Sequence, residues 1–73
     1  MTFIVESSNP YASYEEEEIL WDSEDFSAFV AEIDELTGVG RSEAEEVALE
    51  ADAGRQFEWV NPETGREVRA RRA

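Results

Sequence analysis

Seventy-three residues carrying 19 acidic and 6 basic side chains give a formal net charge of -13. A chain of this length makes one small domain with little interior for an enclosed active site. With neither cysteine nor histidine it can build no disulfide framework, thiolate metal site or histidine-based catalytic centre. No apolar run approaches the ~20 residues of a membrane span, and the opening Met1–Ser8 lacks the pattern of a secretory leader. The expectation is a soluble, cytoplasmic protein that is not an enzyme and carries no cofactor.

In chain order, Thr2-Phe3-Ile4-Val5-Glu6 is rich in β-branched and aromatic residues, and Ser7-Ser8-Asn9-Pro10 favours a turn, which predicts a first strand ending before Ser7. The stretch 14–21 reads two ways. Ser13 with Glu16 fits a capping box, whereas Ile19 and Trp21 alternate with Leu20 as a strand would, and the strand is the favoured reading. Asp22-Ser23-Glu24-Asp25 supplies capping oxygens and negative charge for a helix whose apolar positions Phe26, Phe29, Val30, Ile33 and Leu36 recur with helical spacing and stop at Gly38. Ser42 with Glu45 predicts a second capped helix, with a narrow stripe of Ala44, Val47, Ala48 and Ala51 up to Gly54. Gln56–Val60 and Arg66–Ala70 flank Asn61-Pro62-Glu63-Thr64-Gly65, a type I turn with a glycine bulge, and predict a hairpin with Phe57 and Trp59 on one face. The sum is an α+β domain over 1–73: a small antiparallel sheet of three to four strands with two helices on one face. Eight aromatics and this apolar periodicity argue against a disordered polyanion.

Charge is unevenly placed. Residues 1–54 hold 16 acids and the single base Arg41, a sum of -15, whereas the arginine-rich hairpin segment 55–73 holds five arginines and three glutamates, a sum of +2. On the second helix Glu43, Glu46 and Glu50 fall at i, i+3 and i+7, about 4.5 and 6 Å apart along the axis, the scale of phosphates along one nucleic-acid strand. Glu32 and Glu35 crowd the first helix opposite its apolar face, and Glu15, Glu16, Glu17 and Glu18 form a run before the second strand. Like charges at these spacings destabilise a helix by about 0.2–0.5 kcal/mol per pair, so their accumulation asks for a use.

That use is expected to be electrostatic mimicry. Proteins that grip nucleic acid place Lys and Arg where phosphates sit, and the field that steers DNA to them would steer a compact polyanion as well. In size, acidity and lack of catalytic residues the chain resembles small phage-encoded inhibitors of host defence, the anti-CRISPR and anti-restriction proteins that act as DNA mimics. The resemblance is one of character over residues 1–54 and not of motif. It implies a stoichiometric inhibitor of a CRISPR effector or restriction enzyme in the host cytoplasm, monomeric or dimeric, touching neither nucleic acid nor membrane directly. The expected contacts are Glu15, Glu16, Glu17, Glu18, Glu32, Glu35, Glu43, Glu46 and Glu50. Two alternatives fit the same composition: an acid-rich, lysine-free surface of the kind salt-adapted proteins use for solubility, and a small adaptor or antitoxin-like domain anchored by Trp21, Trp59 or Tyr11 with Arg69, Arg71 and Arg72 at its rim. The arginines themselves are too few beside a -15 body to hold a phosphate backbone; pairing with the acidic helices, self-association or an acidic partner patch are their expected roles.

Overall fold

The computed structural model describes residues 2–8 and 19–73. Four strands, β1 (Phe3–Ser8), β2 (Ile19–Ser23), β3 (Phe57–Val60) and β4 (Glu67–Arg72), form one antiparallel sheet in the order β2-β1-β4-β3. Two helices, α1 (Phe26–Thr37) and α2 (Arg41–Asp52), pack against each other and cover one face of the sheet, which gives the expected α+β architecture. Antiparallel register puts Phe3 and Val5, Trp21, Val68 and Ala70, and Phe57 and Trp59 on the covered face. Phe3, Val5, Val68 and Ala70 are buried there with Phe29, Val30 and Ile33 of α1 and Ala44, Ala48 and Ala51 of α2. Phe3 stacks on Phe29 with ring centroids 4.6 Å apart, and Trp21 lies parallel to Phe29 at 6.4 Å.

The first strand is longer than the sequence suggests. Ser7 and Ser8 continue the ladder, because Ser7 pairs with both Ile19 and Val68, and Ser8 pairs with Glu67. The buried Ser7 hydroxyl accepts a hydrogen bond from Arg66 Nη1 at 2.7 Å, which allows a polar side chain at the end of the core. The second strand is Ile19–Ser23, so Asp22 and Ser23 end a strand and do not form the start of the helix. Residues 14–18 of the predicted strand, and the Ser13–Glu16 capping box, lie outside the described residues.

The first helix matches its prediction. Asp25 Oδ1 accepts the Ser27 N–H at 3.0 Å as N-cap, and Gly38, at φ 70, donates to the Asp34 carbonyl at 2.7 Å in the left-handed ending that only glycine adopts without strain. The second helix departs from prediction at its start. Its N-cap is Gly40, with no side-chain cap, so Ser42 and Glu45 form no capping box at this end. The reason is the short Gly38-Val39-Gly40 connection: Asp34 Oδ1 takes the Gly40 N–H at 2.9 Å, and the Gly40 carbonyl takes the Ala44 N–H at 2.9 Å. These bonds set the first turn of α2 one residue ahead of Ser42. At its other end, Gly54 and Arg55 donate to the Ala51 and Glu50 carbonyls, which closes α2 with a Schellman pattern. The hairpin forms as read, with Asn61 N–H bonded to the Arg66 carbonyl, Gly65 at φ 78, and β4 extended to Arg72.

Candidate acidic interaction surface

The outer side of α2 is built by what lies beneath it. Ala44, Ala48 and Ala51 are completely buried and have no side chain beyond Cβ, so the helix backbone sits close to α1 and the sheet. The opposite side then points outward. Glu43, Glu46 and Glu50 are all exposed, as are Glu45 and Leu49. Glu43 stands in the first turn, where the helix dipole favours a negative charge. Among the described residues the ion pairs are Arg69 with Glu6 and Glu67, Arg71 with Glu6, and Arg72 with Asp52. None reaches Glu43, Glu45, Glu46 or Glu50, whose carboxylates face solvent with their charge uncompensated.

The acids of α1 are not one uniform face. Asp25 caps the helix and Asp34 holds Gly40, so both serve the fold. Glu35 is exposed, but Glu32 is half-buried. Burial, with a smaller contribution from repulsion by Glu35, holds the Glu32 carboxyl above its ordinary range. The expectation that Glu32 lies on the solvated side opposite the core is therefore corrected: its side chain is partly shielded on the flank of α1, and this carboxylate is a poorer phosphate surrogate than the exposed Glu35. Glu15, Glu16, Glu17 and Glu18 lie outside the described residues.

The arginines are largely engaged within the molecule. Arg72 Nη1 donates to the Asp52 carbonyl at 2.6 Å and sits 4.0 Å from Asp52 Oδ1, which neutralises the C-terminal end of α2. Arg71 Nη2 and Arg69 Nε reach the two oxygens of Glu6 at 3.3 and 3.6 Å. Pairing with the acidic helices, one of the three roles foreseen for the tail, describes Arg72; Arg69 and Arg71 pair inside the sheet instead. Trp21 and Trp59 pack against the core from the covered face, which removes both from the set of protruding anchors.

The exposed side of the sheet draws side chains from all four strands. Glu6, Leu20, Arg69 and Glu58 form one cross-strand row; Asp22, Ile4 and Arg71 form the next, and Ser8, Glu67 and Val60 a third. The alternation of Ile4, Glu6 and Ser8 with Phe3, Val5 and Ser7 is the signal that separates the two faces. Two shallow depressions of about 200 and 110 Å³ adjoin this face, and Arg69 lines both. No helix among the described residues is long and apolar enough to cross a membrane. Comparison with family models, characterised proteins and solved structures finds no match.

Proposed function

We propose that the chain is a stoichiometric inhibitor that occupies the basic nucleic-acid groove of a defence or regulatory protein by DNA mimicry. The observation that carries this reading is the row of Glu43, Glu46 and Glu50, exposed and without arginine partners, on a helix whose other side is fixed by three fully buried alanines. A carboxylate on a fixed backbone keeps its spacing when it meets a groove, so little ordering entropy is lost on binding. With no ion pair to these glutamates among the described residues, the local potential stays high, which speeds encounter with a cationic cleft and makes the affinity fall with salt. Glu35 extends the same negative field from α1, and Arg72 removes charge only at the far end of α2.

The test is capture on the immobilised protein from cell lysate, with and without competing duplex DNA, followed by binding of each captured protein to Glu43→Lys/Glu46→Lys/Glu50→Lys. The reading expects a partner that DNA displaces and that the triple variant binds at least about tenfold more weakly, while circular dichroism shows the fold intact. Partners indifferent to both DNA and the charge reversal would overturn it.

A further inference from the structure

We infer that the open face of the sheet is a second interaction surface, separate from α2, and that it fits a basic amphipathic helix of a partner protein. An antiparallel sheet with one face in solvent is expected to alternate apolar-in and polar-out. This sheet breaks that rule on its outer side. Leu20 is 74% exposed and Val60 is 54% exposed, and Ile4 lies half-buried diagonally across from Leu20. The helices leave this face uncovered, and the two tryptophans that could have served as protruding anchors are turned to the other side.

The relief of the face sets the shape of its occupant. One depression is lined by Leu20 together with Glu6, Ser8 and Arg69, the other by Val60 together with Glu58, Glu67 and Arg69. Leu20 stands on one edge strand and Val60 on the other, two residues apart in register. With strands ~4.8 Å apart and ~3.3 Å of rise per residue, the two side chains are separated by about 16 Å. Residues eleven apart on an α-helix lie on one side of it and are about 16 Å apart, so one helix laid diagonally over Arg69 can seat an apolar side chain against each.

Charge selects what flanks those side chains. Glu6, Asp22, Glu58 and Glu67 on this face outnumber Arg69 and Arg71, and the net charge of the chain is -13. An occupant bearing Lys or Arg beside its apolar residues is attracted to the rim carboxylates, whereas a second copy of the chain brings the same excess of negative charge and is repelled. Arg69, between the two depressions, disfavours a basic residue at the middle of the helix. The site thus calls for apolar anchors at both ends of a three-turn span, bases beside each anchor, and a neutral or acidic centre.

The experiment uses the whole protein, isotope-labelled, titrated at physiological salt with two synthetic peptides of equal charge: an amphipathic helix with leucines eleven residues apart and lysines beside them, and oligolysine. The amphipathic peptide is expected to bind more tightly and to shift the amides of Glu6, Leu20, Val60 and Arg69. Leu20→Ser/Val60→Thr, both changes being at exposed positions, is expected to weaken that binding about tenfold or more. The Glu43→Lys/Glu46→Lys/Glu50→Lys variant is expected to retain the same residue pattern of shifts, which separates this surface from the one on α2. Equal affinity for the two peptides, shifts confined to α2, or a concentration-dependent dimer abolished by Leu20→Ser/Val60→Thr would each overturn the inference.

Discussion

Between residues 26 and 52 the helical layer carries eight acids against one base, and Glu43, Glu45, Glu46 and Glu50 meet no arginine. The four strands carry four acids against three bases, and there Glu6 is held by Arg69 and Arg71 while Arg69 also reaches Glu67. The same kind of side chain therefore acts with opposite sign on the two sides of the molecule. On the sheet Glu6 and Glu67 stabilise the fold by pairing; on α2 Glu46 and Glu50 oppose it slightly and keep their charge available to a partner. Acidity as a bulk property of the composition does not distinguish these cases, but position does.

The largest expected effect strikes what holds the helical layer in place. Ala48→Leu adds volume at a fully buried position of α2, so unfolding in denaturant should show a loss of about 1–3 kcal/mol, while Glu45→Leu, at an exposed position three residues before, should change stability by less than about 0.5 kcal/mol. Equal effects of the two would mean that α2 is not seated as described. The next pair of variants separates the two faces by sign. Glu6→Gln takes from two arginines their shared carboxylate and should cost about 0.5–1 kcal/mol at low salt. Glu46→Gln alone relieves both like-charge contacts along α2, with Glu43 and with Glu50, and should add about 0.4–1 kcal/mol, a gain that shrinks as salt rises.

The smallest expected effect is a pH dependence at Glu32. Its carboxyl titrates above the ordinary range in the folded state, so the folded protein holds this proton more tightly than the unfolded chain does. Ionised Glu32 therefore opposes folding at neutral pH, and that opposition fades as pH falls through the raised value. Glu32→Gln should melt higher than the parent at neutral pH, with the difference narrowing towards the ordinary carboxylate range. A difference that widens on acidification would contradict the burial of this side chain.

What could be read from the sequence was whatever depends on neighbours a few residues away. The Phe26, Phe29, Ile33 spacing, the Asp25 cap and the Gly38 stop define α1 locally, and Asn61 through Gly65 defines the hairpin by its own turn chemistry. The small-residue stripe of α2 was legible for the same reason, and with it the outward direction of Glu43, Glu46 and Glu50. What stayed hidden depends on distant partners. Ser7 looks like a turn residue until Val68 and Arg66, about sixty positions away in sequence, are placed beside it. Ser42 looks like a helix cap until Asp34 is seen to fix Gly40. Glu32 looks solvated until the packing around α1 is known, and the exposed Leu20 and Val60 belong to the two opposite edge strands, which only the sheet order places on one face.

The middle of the sheet joins the first described strand to the last, Phe3 opposite Arg72 and Ser8 opposite Glu67. During synthesis β1 must therefore wait for β4, about sixty residues further along the chain, before its inner edge is covered, while β2 and α1 can gather on it early. Such distant pairing makes the closing step slow relative to helix formation. It also predicts that loss of β4 would leave β1 and β3 without their common neighbour, so that shortening from that end should abolish the fold as a whole and not fray it gradually.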